Sequence, residues 1–186
     1  MKTDTSFTLN FMIYIQNIFL NQSRSEEELR FPYLSTRIAF KEDFELRYKK
    51  LWNEVSQRIT SDVRNDLKIF YEEKDLLYQK LFENNADSLA GYNEVYKTFQ
   101  VWWDSFAGRF SVERSTNNIG QNLYVELVNY LKKNEIEPQR QLSISIIYDE
   151  CLLANAEVSS YFAVLPIRDF FFKFEELVPK LKGCFY

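Results

Sequence analysis

From Tyr33 to Ala90 the chain contains neither glycine nor proline. That absence constrains the fold more than any other feature. Tight β-turns need Gly, Asn-Gly or Asp-Gly, whereas a long run without breakers suits long helices. The whole chain carries four glycines and four prolines. The expected fold is therefore all-α: a bundle of about six or seven helices.

Within the run, Phe44, Tyr48, Leu51, Val55 and Ile59 recur every three or four residues, and Val63, Leu67, Phe70, Leu77 and Leu81 continue the stripe. This predicts one long helix, or a kinked helix pair, near 41–83. Thr60, Ser61 and Asp62 are the place for a kink or cap. The organisation read from composition is a single all-α domain over 1–186. Its N-terminal helices and long arm fill 1–83, and a C-terminal helical bundle fills 88–186.

Other elements follow from the same rules. A buried first helix is expected over 6–21. Its apolar stretch FMIYIQNIFL is interrupted by Gln16 and Asn17, lacks a basic leader, and is too short to span a bilayer. Ser25 and Glu28 have the spacing of a capping box opening a short helix ended by Pro32. The stretch ENNADS (83–88) reads as a linker, and a helix carrying Trp102 and Trp103 should follow it, to about Phe110. There Tyr92, Val95, Tyr96, Phe99, Trp102, Trp103, Phe106 and Phe110 form one broad apolar stripe, so both indoles read as core. The polar stretch SVERSTNN (111–118) reads as a linker, followed by a helix through Leu123, Leu127 and Leu131 that ends near Lys132, Lys133 and Asn134. Pro138 suits the first turn of another helix. Leu142 to Ile146 alternates like a strand, but the segment continues too far for one strand. Its alanines and the Tyr148/Leu152 pair favour a buried helix stopped by Pro166. A last helix is expected over 167–182, capped by Gly183.

The chemistry available is narrow. The chain has no histidine, which excludes Ser-His-Asp and Cys-His catalysis and every histidine metal site. No phosphate-cradling glycine motif and no C-x-x-C occur. Cys151 and Cys184 make no disulfide framework and read as reduced thiols of a cytoplasmic protein. Net charge is −4, without a basic block, which argues against nucleic acid or anionic membrane as partner.

What remains is a carboxylate site for Mg²⁺. Glu42 and Glu45 form E-x-x-E, and Glu72 and Asp75 form E-x-x-D. This pair of motifs resembles the all-α nucleotide pyrophosphohydrolases of the MazG and dUTPase type. The resemblance implies Mg²⁺ held by those four carboxylates beside a nucleoside triphosphate. On a helical wheel, however, Glu72 and Asp75 point about 160° from the apolar stripe of their helix. Carboxylates placed so read as a solvated face.

The leading expectation is thus a non-enzymatic interaction or regulatory module that self-associates or binds a protein partner, with no cofactor. Phe172 lies about 160–200° from the inward stripe of the last helix. Val101 is a similar outlier on the Trp-Trp helix. With Phe185 and Tyr186 at the end of the sequence, they form the expected partner interface.

Overall fold

A computed structural model describes residues 1–23, 25, 28–34, 37–155 and 158–185. The chain divides into two compact units, each discontinuous in sequence: Phe7–Asp104 with Cys151–Asn155, and Met1–Ser6 with Ser105–Glu150 and Ala156–Tyr186. Eight α-helices and a four-stranded mixed sheet are present among the described residues. The fold is mostly helical, and the sheet corrects the all-α expectation.

The first unit is helical. Its centre is α1 (Phe7–Asn21), in which every residue from Phe7 to Ile18 is buried. A helix apolar on all sides must be wrapped by others, and α1 packs against α2 (Phe44–Ser61), α3 (Arg64–Leu67) and α5 (Ala86–Trp103). The polar interruptions have backbone partners. Gln16 Oε1 accepts from Leu152 N–H at 2.7 Å and Leu153 N–H at 3.1 Å. Asn17 Nδ2 donates to Phe31 O at 2.9 Å. Each buried amide thereby holds an irregular segment whose own backbone groups need satisfying.

The N-terminus of α1 is capped from far away. Asp66 accepts from Phe7 N–H (2.8 Å) and Thr8 N–H (2.9 Å), and Thr8 Oγ1 donates to Asp66 O at 2.7 Å. A buried carboxylate there satisfies two of the orphan amides and meets the positive end of the helix dipole.

The run near 41–83 is a broken helix pair rather than one arm. α2 stops at Asp62, whose Oδ1 accepts from Arg64 N–H at 3.0 Å. After α3 comes a π-helical segment, Lys68–Glu72, and then α4 (Lys74–Leu81). α4 folds back onto α2. Lys41 N–H donates to Leu81 O (3.1 Å) and Glu83 N–H to Ala39 O (3.2 Å), tying the two ends. The break and the wider π turn shift the buried face. Ile69 and Phe70 turn inward, while Val63 and Leu67 of the predicted stripe stay exposed. The capping box at Ser25 spans Glu26 and Glu27, which lie outside the described residues.

The second unit contains the sheet. β1 (Lys2–Asp4), β2 (Ser143–Ile147) and β4 (Phe162–Pro166) are parallel neighbours, and β3 (Val158–Ser159) pairs antiparallel with β4, in the order β1-β2-β4-β3. Where a helix was expected over 142–166, the described residues therefore form three strands, β2, β3 and β4. β4 is buried at every position. Parallel strands covered on both faces lose the alternation that marks a strand and look like a helical core segment. Tyr161 makes the β3–β4 turn with φ 58°.

The polar stretch 111–118 is no linker: it opens α6 (Ser111–Lys133). Val112, Thr116, Gly120, Leu123 and Leu127 are its buried residues, spaced four, four, three and four apart. That stripe outweighs the polar composition around it. α6 ends where its lysines suggested, in a Schellman turn. Ile136 N–H donates to Leu131 O (3.0 Å) and Glu135 N–H to Lys132 O (3.3 Å), with Glu135 at φ 54°. Pro138 starts no helix but lies in the loop to β2. The last helix is split at Lys173 into α7 (Ile167–Phe172) and α8 (Phe174–Lys182). Gly183 has right-handed backbone (φ −63°) and opens a short 3₁₀ turn, not a left-handed cap.

Candidate functional site

The Trp-Trp helix α5 begins at Asn85, whose side chain accepts from Ser88 N–H at 2.8 Å. Its stripe Tyr92, Val95, Tyr96, Phe99 and Trp103 is buried. Trp102 is half-buried, stacked on Tyr14 at 5.9 Å and lying against Phe31 at 4.8 Å. These rings are packing. The tyrosine hydroxyls are also structural: Tyr96 donates to Phe70 O at 3.0 Å and Tyr92 donates to Lys74 O. Burial, with Tyr71 adding to it, pushes the Tyr96 phenol up to about 12. Burial also raises Tyr92, with Tyr96 and Asp75 adding to it. Both stay protonated donors at any physiological pH.

α5 stops at Trp103, short of its expected end. Asp104 and Ser105 break it, and a π-helical segment, Phe106–Phe110, follows with Gly108 off helical values (φ −90°, ψ −123°). Phe106 and Phe110 therefore leave the buried stripe and stand exposed, packed edge-to-face on each other at 5.3 Å. The break signals, Asp-Ser and a glycine, are in the sequence and were outweighed by the aromatic spacing.

The four carboxylates of the Mg²⁺ expectation are all exposed. Glu42 lies in the turn before α2, Glu45 in the first turn of α2, Glu72 at the end of the π segment, and Asp75 in the first turn of α4. It is their neighbour Glu73 that is engaged, by Arg58 at 2.8 Å and Lys68 at 3.6 Å. Among the described residues, no three or more Asp, Glu, His or Cys side chains are grouped to hold a metal. The thiols are shifted away from reactivity. Burial pushes Cys151 up to about 12 and Cys184 up to about 11, so neither is a thiolate at neutral pH.

The residues expected at a partner interface fall as follows. Val101, on α5 in the helical unit, is 76% exposed. In the sheet unit, Phe172 is 80% exposed at the end of α7, with the Arg168 guanidinium 6.0 Å from its ring. Phe171 beside it is also exposed. Phe185 is half-buried, set edge-on to Tyr161 at 5.8 Å, and so serves the fold in part. Tyr186 lies outside the described residues. The wheel missed Phe106, at 82% the most exposed large apolar side chain among the described residues.

A shallow apolar groove of about 400 Å³ at the end of α6 is lined by Val128, Leu131, Ile136 and Pro138 with three charged residues. A polar one of about 450 Å³ at the start of α5 includes Arg37, Asp87 and Glu94. No helix among the described residues is long and apolar enough to cross a membrane. No family model, curated protein or solved structure matches the chain.

Proposed function

We propose that this chain is a non-enzymatic interaction or regulatory module whose partner is a second copy of itself. The observation that carries the reading is the exposure of Phe106 and Phe172, 82% and 80%, both in the sheet unit. Each ring is worth about 150–250 Å² of surface when covered. Folding leaves these two in water although the chain has a large buried aromatic core. Exposed aromatics are the residue type that most often anchors an interface. Phe110 and Phe171 extend the supply in the same unit. Among the described residues, the Cys151 and Cys184 thiols are shifted away from reactivity, and Glu42, Glu45, Glu72 and Asp75 lie on solvated faces.

Sedimentation velocity tests this with the wild type and a Phe106→Ser/Phe172→Ser variant. Loss of an anchoring aromatic costs about 2 kcal/mol, roughly thirtyfold in affinity. The wild type should sediment above its 22.4 kDa monomer mass and the variant at it. A wild type that is monomeric throughout removes the reading. A variant that associates as the wild type does removes these rings from it.

A further inference from the structure

Among the described residues, β1 has one neighbour in the sheet, β2, and lies at its edge. It pairs in parallel with β2, setting Lys2 opposite Ser143, Thr3 opposite Ile144 and Asp4 opposite Ser145. Lys2 N–H donates to Leu142 O at 2.8 Å. Along a parallel strand, alternate residues direct both backbone groups to the same side. Lys2 and Asp4 therefore face β2, and Thr3 turns its N–H and C=O outward. Lys2 and Thr3 are exposed and Asp4 is half-buried, so among the described residues this edge faces solvent.

Open edges invite another strand, and proteins usually blunt them with shortness and a lysine. β1 is short and carries a lysine, but also an aspartate two residues on. The two side chains share one face of the strand, where Lys2 Nζ lies 2.9 Å from Asp4 Oδ2. That pattern is self-complementary in one orientation only. Antiparallel pairing centred on Thr3 sets Lys2 against the partner's Asp4, and Asp4 against the partner's Lys2. In-register parallel pairing sets lysine against lysine and aspartate against aspartate, which is unfavourable.

We propose that β1 pairs antiparallel with β1 of a second copy, about a two-fold axis at Thr3. Thr3 exchanges two N–H···O=C bonds with its counterpart, and four alternating charges flank the axis on one face. A shift by one residue loses the backbone bonds, because only Thr3 directs both groups outward. The two sheets become one of eight strands. The contact is isologous and closes at two chains. The charges fix orientation and register more than they supply affinity. The inference rests on the reading that a second copy is the partner, and it adds to the exposed rings of that reading a backbone contact of stated register and symmetry.

Charge reversal tests it, with dimer affinity read by sedimentation and the fold of each variant checked by thermal melting. Lys2→Glu or Asp4→Lys alone turns two attractive pairs into two repulsive ones and should weaken the dimer about tenfold or more. The double reversal restores the pattern and should return affinity to within about threefold of wild type. Thr3→Cys provides an independent measure. The axis brings the two Cα atoms to about 5.5 Å, within disulfide range. Mild oxidation should give a covalent dimer that the wild type, with Cys184 buried and Cys151 half-buried, does not form. A wild type that dimerises with an affinity insensitive to either single reversal overturns the β1 pairing and leaves self-association standing. A wild type that never dimerises overturns both.

Discussion

Replacing Asp66 with alanine should destabilise the helical unit more than its place in a four-residue helix suggests. The carboxylate is 7% exposed and accepts from two amides, Phe7 N–H and Thr8 N–H, at 2.8 and 2.9 Å. Its removal leaves both donors buried with no replacement from water, at about 1–3 kcal/mol each. It also removes a negative charge from the N-terminus of α1, worth about 0.3–2 kcal/mol. Against this stands the relief of no longer desolvating a carboxylate. The Thr8 hydroxyl bond to Asp66 O survives, because its acceptor is backbone. The net expectation is about 3 kcal/mol, or a fall in Tm of roughly 6–12 °C for a chain of this size. Asp66→Asn keeps one acceptor oxygen and the shape, but presents an NH₂ to the second amide. It should lose about half as much. Thermal unfolding by circular dichroism measures both, and hydrogen exchange at Phe7 and Thr8 localises the effect. Alanine within about 0.5 kcal/mol of wild type would refute the distal cap. Equal losses in the two variants would show that the charge, not the pair of acceptors, is what matters.

Other consequences are open to the same kind of check. Glu135→Gly should raise stability by about 0.5–1 kcal/mol, because the Schellman turn of α6 holds Glu135 at φ 54° and glycine bears no penalty there; a lower Tm contradicts this. Burial raises both thiol pKa values, Cys151 to about 12 and Cys184 to about 11, so the thiolate fraction is small at pH 8. Native protein should accordingly resist iodoacetamide at pH 8 until denatured, and labelling at the rate of a free thiol contradicts it. Mg²⁺ with a non-hydrolysable nucleoside triphosphate should leave Tm unchanged, since Glu42, Glu45, Glu72 and Asp75 are all exposed. A rise of several degrees would revive the carboxylate site.

What could be read from the sequence was whatever one helical period encodes. α1 was legible from its apolar run, and the stripe of α2 from Phe44 to Ile59. Outward placement of Val101 and Phe172 followed from wheel angles alone. Failures came where a neighbour distant in sequence decides. Asp66 looks like one more acidic residue on a polar helix until α1 is brought against it. β4 is buried at every position, so its sequence carries no alternation. The polar start of α6 became helix because Val112 and Thr116 find a buried face. Phe106 and Phe110 were misplaced because a three-and-four spacing was carried across the break at Asp104 and Ser105. The β1 edge was invisible for a related reason. Lys2-Thr3-Asp4 has no meaning as a pattern until β2 lies beside it and fixes which groups face out.

If this chain meets a second copy of itself, its mass in solution depends on its concentration. Sedimentation equilibrium of the untagged chain over a wide concentration range tests it most directly. The weight-average mass should rise from 22.4 kDa toward twice that value and level there. A mass of 22.4 kDa at every concentration would contradict it.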